Sequence, residues 1–235
     1  MPVFNSEKTV SESIASVLNQ TYADFKLYII NDSSTDLSKD IILSFKDTRI
    51  VYLETEKNSG VAHSRNLGIK ICTGKYISFL DSDDLWLPNK LALQLTKLKA
   101  GYNVVCSNYY TFSNETDIKL RNSPTIIKYS SMLKSNFIGN LTGTYNVSKI
   151  GKVFQKKVGH EDYVMWLEIL QKAGEAFCIQ DPLAKYRISN ASLSSNKFKA
   201  IKWQWSIYRN DLKLSPTKSL YYFSHYLLNA LKKRR

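Results

Sequence analysis

The chain has 235 residues, 43% of them apolar. That is enough for one substantial core, or a compact domain with a small appendage, and it excludes disorder as the dominant state. Lys and Arg outnumber Asp and Glu 33 to 20, a formal charge of +13 that favours anionic partners. Residues 197–235 alone carry ten basic side chains and one acid, Asp211, so the excess belongs to the C-terminal tail and the body before it is close to balanced. No stretch approaches the ~18 apolar residues of a membrane-spanning helix, and no charged region followed by an apolar run opens the chain. These features predict a cytosolic or peripheral protein. Cys72, Cys106 and Cys178 are odd in number, far apart and without CxxC spacing, which predicts reduced thiols in or near the core.

Val10, Ile14, Val17 and Leu18 recur at helical spacing behind Asn5 and Ser6 and predict a helix over 6–20, followed by a strand at 26–31. A helix over 36–46 and a strand at 49–53 come next. The alternation continues with a helix at 61–71, a strand at 76–80, a helix from Pro88 through Leu98 and a strand at 103–107. Strands separated by helices of this length imply βαβ units, a mainly parallel sheet and helices on both faces. After Tyr109 the pattern loosens, with a helix near 130–136, a strongly helical segment from His160 to Ala173, a short strand at 176–179 and a polar loop over 189–196.

In such sheets ligands bind beyond the carboxyl ends of the strands. The first of these ends carries Asn31-Asp32-Ser33-Ser34-Thr35-Asp36. A helix cap needs only one of those residues. The strand at 76–80 ends in Asp81-Ser82-Asp83-Asp84. Three carboxylates in four residues repel one another, and a helix N-terminus offsets only about 1 kcal/mol of that for each. A divalent cation compensates far better, since Mg²⁺ takes one or two protein carboxylates while phosphate and water complete its shell. Asp81 and Asp83 are therefore the candidate ligands.

Five motifs in order, Pro2-Val3-Phe4-Asn5, Ser16 to Tyr22, Asn31 to Asp36, Asn58-Ser59-Gly60 with Ala62 to Ile69, and Gly74 to Asp84, together resemble the family 2 glycosyltransferases of the GT-A fold. The resemblance covers roughly residues 1–195. It implies a Rossmann-like three-layer αβα domain with a C-terminal helical basic segment. Residues 1–108 would form the nucleotide-sugar half, with an apolar strand that usually precedes the Pro-x-aromatic-Asn motif cut short by the start at Met1. Residues 109–195 would form the acceptor and catalytic-base half, and 196–235 a basic aromatic tail.

Carried over residue by residue, the resemblance makes Pro2 and Phe4 the frame of the nucleotide base and Asp32 its hydrogen-bonding acid. Arg65 matches a basic residue near the nucleotide, and Asp81 and Asp83 match a DxD motif in which Asp83 holds Mn²⁺ or Mg²⁺. His160-Glu161-Asp162 looks like the family's Glu-Asp motif, with Asp162 as general base and Glu161 positioning the acceptor; His160 and Trp166 are candidate acceptor contacts. Trp166 also has the helical spacing of a core residue. Tyr186-Arg187 and the loop after it resemble a segment that closes over the donor, although Ile188, Ser189 and Asn190 stand where many relatives have a histidine.

In the tail, Leu220, Phe223, Leu227 and Leu231 fall on one apolar stripe, and a basic helix with aromatics suits an anionic membrane surface. No motif that reads nucleic acid is present. The expectation is an inverting, metal-dependent hexosyltransferase that uses a UDP-sugar and a saccharide acceptor on a lipid carrier. Its place would be surface polysaccharide or lipooligosaccharide synthesis at the cytoplasmic face of a bacterial inner membrane. The rivals are a nucleotidyltransferase of similar fold, which would need a glycine-rich loop that residues 2–8 lack, and a catalytically silent nucleotide-binding remnant.

Overall fold

Apolar β-type runs alternating with amphipathic helices fold here as the sequence implies, in a computed structural model that describes residues 1–113, 118–188 and 197–232. In chain order the first half comprises β1 (Pro2–Val3), α1 (Val10–Leu18), β2 (Leu27–Asn31), α2 (Ser38–Ser44), β3 (Ile50–Glu54), α3 (Val61–Ile71), β4 (Tyr76–Ser78), β5 (Leu85–Trp86) and α4 (Lys90–Lys99). The second half comprises β6 (Val104–Phe112), β7 (Ile118–Arg121), β8 (Ile126–Lys128), α5 (Tyr129–Met132), β9 (Thr144–Asn146), α6 (Val147–Ile150), α7 (Glu161–Ala173) and β10 (Glu175–Arg187). The tail adds α8 (Lys197–Ser206), a π-helical turn at Ile207–Asp211 and α9 (Pro216–Lys232). Among the described residues no helix is long and apolar enough to cross a membrane.

The strands fall into two sheets. β1, β2 and β3 pair in parallel, and a second sheet runs β4-β9-β6-β10-β5 with β7 on β6 and β8 on β10. Its axis is the parallel pair β6 and β10, while the shorter strands join antiparallel. β6 and β10 are longer than the sequence pattern implies. Asp181-Pro182 interrupts the apolar run, and the structure absorbs it as register shifts on either side of Pro182.

β1 is two residues long and, among the described residues, pairs only with β2. Past its start, β2 and β4 border a slot of about 570 Å³, walled by Val17 of α1, Gly68 and Ile69 of α3, and Leu91, Leu95 and Leu98 of α4. The Met1 amine donates to the Tyr28 carbonyl at 2.8 Å. Burial pushes that amine down to about 5.

The main core gathers around α7, where Trp166, Met165, Leu167, Ile169 and Leu170 are buried against Cys106, Cys178 and Ala176. A second cluster joins α1 to β2 through Ile14, Val17 and Ile29, with Trp86 beneath. The three cysteines are free and buried, as their spacing implies. The tail is not a separate appendage: Ile207 and Tyr208 are fully buried in the main core, and Phe223 and Tyr222 pack against it. This divides the stripe read from the sequence, because Phe223 turns inward onto Trp205 while Leu220 and Leu231 point to solvent.

Lys90 is fully buried, its ammonium 4.0 Å from the Trp86 ring and donating to Gln94 Oε1 at 2.8 Å. Burial pushes it down to about 7. The native chain thus releases this proton above pH 7, whereas an unfolded lysine keeps it to about pH 10.4. Unfolding takes up a proton in that window, so the residue's penalty on stability fades as pH rises. Lys90→Met leaves Gln94 Oε1 with its 2.6 Å bond from Thr144 Oγ1. Urea unfolding should find this variant more stable than wild type by at least about 1 kcal/mol at pH 7, with the advantage shrinking towards pH 10. An advantage independent of pH would contradict the assignment.

Candidate active site

The carboxyl ends of β1, β2 and β4 meet at one rim. Pro2 is buried under it, and Phe4 stands on it with 46% of its surface exposed, free to stack on a planar ring. Asn5 and Ser33 both adopt left-handed backbone there. The two turns are laced together by the Thr35 amide donating to Asn5 Oδ1 at 2.8 Å and the Asn5 amide donating to Ser34 Oγ at 3.1 Å. Asp32 is buried at the end of β2. Its carboxylate accepts the Ser59 and Gly60 amides, the latter at 2.7 Å, and the Thr55 hydroxyl at 2.9 Å. Asp32 therefore shapes the 55–60 loop as one wall of the rim.

Arg65 projects from α3 into the centre. Its Nη2 donates to both oxygens of Asp81 at 2.6 and 2.7 Å, and its Nη1 donates to Gln155 Oε1 at 3.1 Å. Burial works against the guanidinium charge, but Asp81 beside it, with Asp162 and Glu161 beyond, holds it more firmly protonated than usual. Its neighbour Asn66 clamps the same loop, donating to the Gln155 carbonyl at 2.8 Å and accepting the Gln155 amide at 2.7 Å.

Asp83 and Asp84 are uncompensated by comparison. Burial, then repulsion from Asp81, raises the Asp83 carboxyl above the ordinary range. Asp84 is buried and raised further by burial and by both neighbours; it accepts the Arg187 amide at 2.9 Å. Among the described residues no group of three or more His, Cys, Asp and Glu forms a ready-made metal cage. The donor set is two all-oxygen side chains: Asp83, raised by burial and by Asp81, and Asp81, both of whose oxygens already accept Arg65 Nη2. This fits a divalent cation whose other ligands come from phosphate and water.

α7 brings its N-terminus to the opposite side. Glu161 and Asp162 occupy its first turn, where the helix dipole favours acids. Burial raises the Asp162 carboxyl, while Arg65 and then His160 pull it back down. His160 precedes the helix in left-handed backbone, with its ring edge-on to Trp203 of α8 and its Nε2 buried without a partner. Gly159, also at positive φ, lies against the same indole; a Cβ there would fall 2.3 Å from the ring. Trp166 is different: it is 0% exposed, edge-on to Phe79 and Tyr145, and its Nε1 donates to Asn140 Oδ1. It fills the core and offers no face to an acceptor, which corrects that expectation.

Two further participants escape sequence reading. Gln155 is one, because nothing marks an isolated glutamine until the fold sets it against Arg65. Trp203 is the second. Arg187, which the resemblance places in a segment closing over the donor, takes a role against the acidic turn: its Nε donates to the Asp83 carbonyl at 2.8 Å, its Nη2 pairs with Glu12 at 2.6 Å and its guanidinium lies over Phe112. It belts the acidic turn from the end of β10. The rest of the loop resembling a closing segment, residues 189–196, lies outside the described residues.

Residues 1–154 match the family model described as glycosyl transferase family 2. The chain is 37% identical, over 99% of its length and 92% of the relative's, to the UDP-Glc:alpha-D-GlcNAc-diphosphoundecaprenol beta-1,3-glucosyltransferase WfgD of Escherichia coli. It is 32% identical, over 99% and 95%, to the putative teichuronic acid biosynthesis glycosyltransferase TuaG of Bacillus subtilis strain 168. The fold superposes with a TM-score of 0.71 on S. aureus TarS in complex with UDP-GlcNAc, at 17% identity, covering 96% of this chain and 70% of that one. It superposes with a TM-score of 0.70 on the mannosyltransferase PcManGT from Pyrobaculum calidifontis in complex with GDP-Man and Mn²⁺, at 15% identity, covering 96% and 68%. The fold is the GT-A fold.

Arg65 ties the turn after β4 to the 151–160 loop through a planar fork that lysine cannot reproduce. Arg65→Lys should lower stability in urea by about 1–3 kcal/mol. Unchanged unfolding would mean that the fork is dispensable to the fold.

Proposed function

The chain belongs to glycosyl transferase family 2, and from that membership we propose that it is an inverting, metal-dependent transferase. In this reading it moves a hexose from a UDP-sugar to the saccharide of a lipid-linked diphosphate during bacterial surface polysaccharide assembly. The observation that carries the reading is the Arg65 node. One guanidinium binds the carboxylate after β4 and faces the acid pair that opens α7, so a donor's diphosphate and an acceptor's hydroxyl would meet across it. The relatives support the substrate classes by what their names describe, a UDP-glucose donor and a GlcNAc-diphosphoundecaprenol acceptor for WfgD.

Phe4 and Pro2 frame the base, with Asp32 bracing the wall beside it. Asp83, with Asp81, would hold Mn²⁺ or Mg²⁺, which when bound supplies positive charge to the leaving diphosphate. Arg65 limits the repulsion that Asp81 adds to the same turn. On the other side, Asp162 takes the proton of the acceptor hydroxyl as that oxygen attacks the anomeric carbon. A carboxyl raised by burial is better suited to this work than an exposed aspartate, because its affinity for a proton lies closer to the working pH. Glu161, one residue earlier, orients the acceptor, and His160 lines the approach. Attack opposite the leaving group inverts the anomeric centre, so an α-linked donor gives a β-linked product.

The tail supports a peripheral site on the inner face of the bacterial membrane. The outer side of α9 exposes Leu220 (62%), Tyr221 (50%), Leu228 (55%) and Leu231 (61%) on a segment of strongly basic composition. That pairing of apolar surface with positive charge suits anionic lipid headgroups.

Transfer of labelled glucose from UDP-glucose to a GlcNAc-diphospho-lipid, assayed with Mn²⁺, should fall by about 10²–10⁴-fold in Asp162→Asn. Asp83→Asn should fall comparably, and EDTA should abolish transfer. The acid limb of kcat/KM should lie above the ordinary aspartate value of 3.8, since burial raises Asp162. Full activity in both variants would remove the enzymatic assignment of these acids. Deleting the whole tail would strip Ile207 and Tyr208 from the core, so membrane docking is tested on the outer face. Leu228→Glu with Leu231→Glu should cut co-sedimentation with phosphatidylglycerol vesicles at least about tenfold. Undiminished binding would return the face to mere solvation.

A further inference from the structure

Two successive residues at positive φ, Gly159 (70°) and His160 (48°), lead into α7. The His160 carbonyl accepts the Val164 amide at 3.2 Å where the helix begins, so the backbone angles of His160 set the direction from which Glu161 and Asp162 are presented. Glycine enters this region freely, but a histidine is held there only where its surroundings fix the backbone. His160 Nε2 is also buried with no hydrogen-bond partner among the described residues, a cost that a turn free to relax into water would shed.

The element that fixes the turn is the Trp203 indole of α8. It lies so close on Gly159 that a Cβ there would fall 2.3 Å from Cδ2, 2.6 Å from Cε2 and 2.7 Å from Cγ. The His160 ring meets it edge-on, with centroids 5.4 Å apart. Lys199 Nζ stands 4.9 Å from the indole's own centroid. Engaged in this way by protein groups, the ring works as a clamp and not as a platform for a sugar.

The clamp and the helix it acts on share one mount. Three successive carbonyls at the end of α5 accept from three elements: Met132 from Tyr163 Oη of α7 at 2.9 Å, Leu133 from Tyr208 Oη of the π-helical turn at 2.5 Å, and Lys134 from Asn229 Nδ2 of α9 at 3.1 Å. Tyr163 directly follows Asp162, and Tyr208 lies five residues beyond Trp203. The first turn of α7 is thus gripped from its end by the indole and from behind by α5.

We propose that Trp203 is a positioning residue for the transfer step, holding the Gly159-His160 turn in its left-handed form so that the first turn of α7 presents Asp162 to the acceptor hydroxyl. The proposal rests on the reading of Asp162 as the base, and it adds that a tail residue which touches neither substrate sets the geometry of that base.

The test uses the full chain and transfer of labelled glucose from UDP-glucose to a GlcNAc-diphospho-lipid with Mn²⁺. Trp203→Ala should lower kcat by about 10–100-fold, the effect of a misplacement of about 1 Å, while the KM for UDP-glucose stays unchanged because the donor rim lies on the other side of the site. Trp203→Phe, which keeps a flat ring over Gly159, should restore most of kcat. Trp205→Ala, which removes the contact with Phe223 elsewhere on the tail, should leave kcat as in wild type. Should Trp203→Ala not fold, Trp203→Leu keeps apolar bulk without the flat ring and carries the same comparison. Added to Asp162→Asn, Trp203→Ala should cost little further, since the group it places is already gone. Losses that multiply in the double variant, or a wild-type kcat in Trp203→Ala, would overturn the proposal. Full activity in Asp162→Asn would sink the reading of that acid and the proposal with it, so the two failures are told apart by which single variant stays active.

Discussion

The bidentate pair between Arg65 and Asp81 is the constraint on which the rest of the site depends. A guanidinium this deeply placed is costly unless its charge is met; the two oxygens of Asp81 meet it at Nη2 and Gln155 Oε1 accepts from Nη1, while Nε is buried without a hydrogen-bond partner among the described residues. The arrangement fixes three segments that are distant in sequence: the end of β4, the loop before α7 and the face of α3. It also explains why three acids can crowd into one turn. Asp81 has a protein cation, Asp84 has the Arg187 amide, and Asp83 is left with the raised affinity for positive charge that a bound cation would relieve.

How much of this could be read from residues alone follows the range of the interactions. Elements set by local periodicity stand near their expected places: α3 spans Val61–Ile71 and α7 begins one residue after His160. The motif acids after β2 and β4 lie at the expected strand ends because a strand's carboxyl end is itself a local fact. Long-range pairing was hidden. The run at 103–107 gave no sign that its strand continues to Phe112, since that extension exists only through pairing with β10 across Pro182. Gln155 and Trp203 carry no sequence signal of their own, and each gains its role from a partner many residues away. Trp166 had two readings, and its complete burial between Phe79 and Tyr145 decides for the core.

The tail changes meaning in the same way. Composition alone made it a basic appendage, but Ile207 and Tyr208 anchor it within the main core and Trp203 lies against Gly159 and His160. A single apolar stripe could not anticipate this, because a helix that packs on a body and also exposes leucines needs two apolar faces. Phe223 and Tyr222 serve the inner one, Leu220 and Leu231 the outer one. The acid pair at the start of α7 and the exposed leucines of α9 are thereby mounted on one continuous packed unit.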